Sequence, residues 1–246
     1  MISTLTLILL VGAGLIGLWK LIHLFPAITA KEWGSIFMSA CLTLSRVLAA
    51  TILGTIWALP AGLAVGLSPR LSRTLQPVSQ VLASFPAPML FPAAIALLSL
   101  LGVSLGIGSI FLMLLGTQWY IFFNVIAGAM AIPADLREAA RSYRMSRWDR
   151  FFRLYLPAVF PYLITGWVTA AGGGWNASIV AEYVMYKGEL LSTRGIGSLI
   201  SQAASKANFP LLAASVLVLA VFVIAFNRTV WQRLYRLAQS KYSLTN

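Results

Sequence analysis

Runs of about twenty apolar residues, separated by short basic stretches, restrict this chain more than any other feature. A helix crosses the ~30 Å hydrocarbon core of a bilayer in about 20 residues at a rise of about 1.5 Å each. Six segments approach that length: Ser3–Phe25, Leu44–Leu67, Val81–Leu101, Ile107–Ala131, Ala158–Glu182 and Leu211–Asn227. A soluble fold is excluded by the shortage of charge. Only 10% of the residues are charged and 59% are hydrophobic, where an ordinary globular domain carries about 25% charged residues. The expectation is an all-α integral membrane protein of about six transmembrane helices. No repeat or low-complexity linker divides it, so residues 1–246 are expected to form a single domain.

Two segments depart from a plain lipid-facing helix. The third contains Pro86, Pro88 and Pro92. Each proline removes a backbone donor that lipid cannot replace, so a kinked or partly broken helix is expected there, shielded by protein or lining a pathway. The fifth contains Gly172-Gly173-Gly174, a run too flexible for a helix exposed to lipid. Residues 5–18 lack a preceding Lys or Arg and a clear cleavage site, and read as a retained helix rather than a signal peptide.

The net charge of +12 reflects the loops. Arg70 and Arg73, the six arginines 137, 141, 144, 147, 150 and 153, and Arg228, Arg233, Arg236 and Lys241 make twelve basic residues on one side. Lys20, Lys31, Lys187, Arg194 and Lys206 make five on the other. The positive-inside rule then places both termini and the arginine-rich loop in the cytoplasm. No basic, aromatic stripe offers a track for nucleic acid. Cys41 is the only cysteine and His23 the only histidine, so neither a disulfide nor a metal site can be assembled.

The arginine-rich loop has its own helical signal. From Asp135 to Asp149 it contains strong helix formers and no Gly or Pro, with Pro133 and Asp135 as start signals. At 100° per residue Arg137, Arg141 and Arg144 share one face, and Glu138, Ser142, Met145 and Asp149 another. Taken alone, this is either a docking element or a juxtamembrane helix resting on anionic lipid.

Glu138-Ala139-Ala140, followed by Leu154-Tyr155-Leu156-Pro157, resembles the EAA loop of bacterial ABC import permeases, the MetI-like inner-membrane components of binding-protein-dependent transport. One position departs from that pattern: Arg144 stands where the family carries a glycine. Other stretches are similar to the nitrate/sulfonate/taurine/bicarbonate group. They are Thr43-Leu-Ser-Arg46, Gly62-Leu-Ala-Val-Gly66, Ser84-Phe-Pro86, Trp175-Asn176-Ala-Ser178-Ile-Val-Ala-Glu182 and Asn227-Arg-Thr-Val-Trp231. The resemblance implies a core of five helices over about 40–230 and a cytoplasmic coupling helix between the fourth and fifth spans, with Glu138, Ala139, Ala140, Arg141, Arg144, Met145 and Pro157 at the contact with an ATPase. It also implies two ATPase subunits that bind ATP and Mg, a second permease, a periplasmic or lipid-anchored solute-binding protein, and a bacterial inner membrane. The chain contains no GxxxxGK[ST] loop, so no cofactor is expected on it.

Candidates for the solute pathway are Ser84 and Pro86 at the kink, Arg46 near the outer mouth, and the polar group Trp175, Asn176 and Ser178 within the fifth span. Glu182, at that span's outer end, is expected to act as a gate or to pair with a base, since an ionisable group at that depth needs a partner; Arg46 is expected to attract an anion, to pair with Glu182 or to snorkel to the interface. Gly54, Gly62 and Gly66 let helices approach closely. Two other classes stay open on the residues alone. A secondary transporter or channel would carry inverted repeats, ion-binding carboxylates or a filter sequence. An intramembrane enzyme would need paired acids or a metal motif.

Overall fold

The computed structural model describes residues 4–241, so Ser3 and both chain ends, with the expected side of the termini, lie outside the described residues. The all-α expectation holds. The helices in chain order are α1 (Thr4–Ile22), α2 (Ala30–Gly66), α3 (Pro69–Ser84), α4 (Ala87–Leu100), α5 (Leu105–Met130), α6 (Ala134–Ser142) and α7 (Arg147–Arg150). After them come α8 (Leu156–Ala181), α9 (Ile196–Ser205), α10 (Phe209–Phe226) and α11 (Gln232–Lys241). Two π-helical turns, Phe151–Tyr155 and Asn227–Trp231, carry α7 into α8 and α10 into α11. Among the described residues, four helices are long and apolar enough to cross a membrane: α2, α5, the α7–α8 stretch and the α10–α11 stretch. The bent pair α3/α4 makes a fifth if counted as one span.

The second span is longer than its apolar run. A capping box starts it at Thr29: the Glu32 N–H donates to Thr29 Oγ1 at 3.3 Å, and the Thr29 N–H donates to Glu32 Oε2 at 2.8 Å. The 37 residues of α2 extend about 56 Å, far beyond a bilayer core. The predicted segment Leu44–Leu67 is therefore only its second part. The first part packs beside α10, where Phe37 and Phe222 meet edge to face at 5.1 Å.

The expected kink is a full break. Phe85 and Pro86 are extended, and α3 and α4 meet at 85°. The residue before a proline is pushed out of the helical region, and Pro86 supplies that constraint. The Gly172–Gly174 run, by contrast, interrupts nothing, and α8 continues through it. A side chain at Gly173 would meet the Tyr120 ring at 2.9 Å and one at Gly174 would meet Val47 at 3.1 Å. Gly173 and Gly174 serve close packing rather than flexibility.

α5 is the central helix and packs along both α2 and α8. On the α2 side the contact depends on small residues. A Cβ at Gly62 would stand 2.7 Å from Val125, and one at Gly66 would stand 2.6 Å from the Ala129 Cβ. In lipid, close backbone approach replaces hydrophobic driving force as the source of helix association. One element has no counterpart in the expectations. After α8 the chain forms a hairpin, β1 (Tyr183–Tyr186) with β2 (Glu189–Ser192), turned at Lys187-Gly188, where both residues have positive φ.

Candidate functional site

α6 stands where the chain leaves α5 and re-enters the bundle through α8. Its amphipathic pattern leaves one small residue, Ala140, buried, while Glu138, Ala139 and Arg141 are exposed. The helical stretch expected from Asp135 to Asp149 is broken after Ser142. Arg144 is left-handed at φ 51°, its N–H donates to the Arg141 carbonyl at 2.9 Å, and the Met145 N–H donates to the Ala140 carbonyl at 3.1 Å. That is a Schellman stop with arginine at the position glycine normally fills. It removes Arg144, Met145 and Asp149 from the helical faces assigned to them. Arg144 is exposed and Met145 half-buried, and Pro157 lies half-buried in the first turn of α8. Ser146 opens α7 by accepting from the Asp149 N–H at 3.0 Å.

A buried polar junction lies at the other end of the bundle. The Glu182 side chain is fully buried where α8 ends. Its Oε1 accepts from Arg46 Nη1 at 2.7 Å and from Thr43 Oγ1 at 2.8 Å. Its Oε2 accepts from the Gly197 N–H at 3.0 Å and the Ser198 N–H at 3.4 Å, the first amides of α9. A helix N-terminus stabilises an adjacent carboxylate through these free N–H groups and the helix dipole. Thr43 Oγ1 also accepts the Ile196 N–H at 2.9 Å, so α2, α8 and α9 share one hydrogen-bonded knot.

Arg46 is equally occupied. Nε donates to the Gly106 carbonyl at 3.0 Å, Nη1 to the Arg194 carbonyl at 2.8 Å and Nη2 to Thr193 Oγ1 at 3.2 Å. With the bond to Glu182, four of the five guanidinium N–H groups are engaged within the chain. The arginine ties α2 to the start of α5 and to the segment following β2. An anion arriving from solvent would have to displace these partners, so the pair acts as a structural tie.

The remaining candidates are dispersed. Trp175 and Ser178 are buried but Asn176 is exposed, so the three do not form one polar cluster. One residue is 100° of rotation, which sets Asn176 on another face of α8. Ser178 donates to the Trp175 carbonyl of its own helix at 2.7 Å. Ser84 and Pro86 are exposed at the α3/α4 break, and the Ser84 hydroxyl donates to the Val81 carbonyl at 2.7 Å. Beside that break lies a cavity of about 460 Å³ lined by Phe85, Leu90, Leu115, Gln118 and Trp119 among others. Gln118 was not singled out from the sequence; a lone amide inside an apolar run was its only signal. Thr43, Thr193 and Gly195 were also missed as site residues, although Gly195 has a compelling reason to be glycine. Any side chain there would fall on the Glu182 carboxylate.

Residues 50–242 match the family model described as binding-protein-dependent transport system inner membrane component. Among curated proteins, the nitrate import permease protein NrtB of Leptolyngbya laminosa is 30% identical over 147 residues, 60% of this chain and 51% of that protein. The bicarbonate transport system permease protein CmpB of Synechococcus elongatus is 32% identical over 151 residues, 61% and 52% respectively. The taurine transport system permease protein TauC of Escherichia coli is 27% identical over 187 residues, 75% and 62%. The matched region spans about half the length of the nitrate and bicarbonate permeases. A solved structure of the MetNI methionine ABC transporter in inward-facing conformations superposes with a TM-score of 0.69 at 17% identity. It covers 86% of this chain and 99% of that one. At that identity the likeness concerns the fold alone.

Proposed function

The chain belongs to the family of binding-protein-dependent transport system inner membrane components, and from that premise we propose that it is the membrane-spanning permease subunit of an ATP-driven importer. Its solute on this reading is a small anion of the nitrate, bicarbonate or organosulfonate kind, as the names of its relatives suggest. It is a transport subunit without chemistry of its own. ATP and Mg belong to the partner ATPase subunits, and a second permease and a periplasmic or lipid-anchored binding protein complete the importer. The protein sits in a bacterial inner membrane with both termini and α6 in the cytoplasm, and α1 serves as a sixth span.

The observation that carries the reading is α6: a short, exposed helix bearing Glu138-Ala139-Ala140, held between two spans. An exposed carboxylate on a rigid element suits docking to a cationic groove of another protein. Motion there reaches the pathway through α5 and α8, which α6 joins. Packed glycine contacts make α2 and α5 move together, and alternating access follows as rigid rocking rather than helix bending. Ser84, Pro86 and Asn176, which are exposed, are assigned to the pathway surface, while buried Trp175 and Ser178 pack behind it and Arg46 and Glu182 hold its outer end together.

Co-expression with the neighbouring ATPase gene, purification and vesicle reconstitution test this. The ATPase should co-purify, and uptake should require ATP and the binding protein. Uptake by the chain without an ATPase would instead favour a secondary transporter.

A further inference from the structure

Along α2 runs a groove of about 680 Å³ whose walls include Leu48, Ile56, Leu59, Phe151, Trp231 and Leu234. From Leu48 to Pro60 it follows thirteen residues of helix, a rise of about 18 Å. That is slightly more than half of a ~30 Å hydrocarbon core, the depth of one leaflet. Ile52 and Ile56 are 62% and 66% exposed, so the groove opens sideways.

Its few polar groups are already satisfied. Thr51 Oγ1 donates to the Val47 carbonyl at 2.8 Å, Thr55 Oγ1 donates to the Thr51 carbonyl at 2.7 Å, and Trp167 Nε1 donates to Thr55 Oγ1 at 2.8 Å. A polar solute would find no partner there, whereas a hydrocarbon chain needs none. The end formed by Phe151, Trp231 and Leu234 is different in character. The segments that supply these residues carry Arg147, Arg150, Arg153, Arg228, Arg233, Arg236 and Lys241 against the single acid Asp149, which is paired with Arg153. Arg150, next to Phe151, has a buried Nε with no hydrogen-bond partner among the described residues.

We propose that this groove holds an acyl chain of an anionic phospholipid from the leaflet on the arginine-rich side, with the phosphate against the arginines at the groove's mouth. Basic pockets between spanning helices on the cytoplasmic face bind anionic headgroups by this combination of an apolar slot and fixed positive charge. A second copy of the chain fits less well, because it would bring the same basic residues face to face.

The test uses the full-length chain equilibrated with equimolar phosphatidylglycerol and phosphatidylcholine of identical acyl chains, with retained lipid measured by native mass spectrometry. Phosphatidylglycerol should be retained in excess by about fivefold, the ratio supplied by one engaged arginine. The excess should shrink as salt rises and approach parity in Arg150→Gln. Leu48→Phe with Leu59→Phe, which fills the slot, should lower total retained lipid. Equal retention of the two lipids by the unmodified chain overturns the proposal without relying on any variant. So does unchanged retention by the filled groove. Disulfide formation between two copies carrying Ile56→Cys in a Cys41→Ser background would assign the groove to a second copy instead.

Discussion

Removing the charge of Glu182 tests the central claim about the buried junction. Glu182→Gln keeps the shape but leaves the Arg46 guanidinium buried without a counter-ion, and puts an amide NH2 in competition with incoming donors. Four donors converge on this carboxylate: Arg46 Nη1, Thr43 Oγ1 and the amides of Gly197 and Ser198. Breaking one side of a buried ion pair costs about 3–5 kcal/mol, because the survivor stays desolvated and unpaired. Arg46→Met should fall near the lower end of that range, since Glu182 keeps Thr43 and two amides. If the mutual attraction is the source of the loss, Arg46→Met with Glu182→Gln should cost no more than the worse single variant. The double-mutant cycle would then show a coupling of at least about 2 kcal/mol. Equilibrium unfolding of the purified subunit in mixed micelles reads all four corners. Single effects below about 1 kcal/mol, or costs that add to within about 0.5 kcal/mol, would refute the argument and reduce the pair to the rank of an exposed one.

Arg144→Gly should raise the midpoint of thermal unfolding, because a non-glycine residue in the left-handed region costs about 1–2 kcal/mol; an unchanged or lower midpoint would show that the Schellman stop carries no strain. Glu138→Ala should change stability by less than about 0.5 kcal/mol, yet weaken association with the ATPase by about 2–5 kcal/mol. Wild-type ATP-driven uptake at matched expression would make this glutamate a solvated surface charge. Gly62→Ala should cost about 1–3 kcal/mol by overpacking against Val125, while Gly172→Ala, with nothing within 4 Å of the new methyl, should be neutral or slightly stabilising. Thermal unfolding of the two proteins side by side separates close packing from backbone flexibility as the use of these glycines. Single cysteines at Ser142 and Ser192, in a Cys41→Ser background, should react with an impermeant reagent from opposite sides of the membrane; labelling of both from outside intact cells would refute the topology.

Much of this protein is local, and what is local was legible. Apolar length names a span because lipid forces every backbone group to bond within its own helix. Pro86 marks the α3/α4 break because its ring restricts the residue before it, and Gly62 and Gly66 mark close packing because helices in lipid adhere through backbone proximity. The departure at Arg144 was also readable, as a side chain where a glycine was expected. The three-residue face assignment beyond Ser142 was not, since helical periodicity carries no information on where a helix stops when the stop residue is not glycine. Periodicity likewise could not separate buried Trp175 and Ser178 from exposed Asn176, because which face of α8 is covered depends on α2 and α5.

The junction lies furthest from the reach of the sequence. Thr43 and Glu182 are 139 residues apart, and nothing near either residue names the other. The chain could show that Arg46 and Glu182 each needed a partner in an apolar setting and that each was one candidate for the other. Only the packing of α2 against α8, with α9 turned so that its first amides face the same carboxylate, decided that they satisfy each other. Burial penalties act on single residues and can be read one at a time, whereas the pairing that relieves them is a property of the assembled helices.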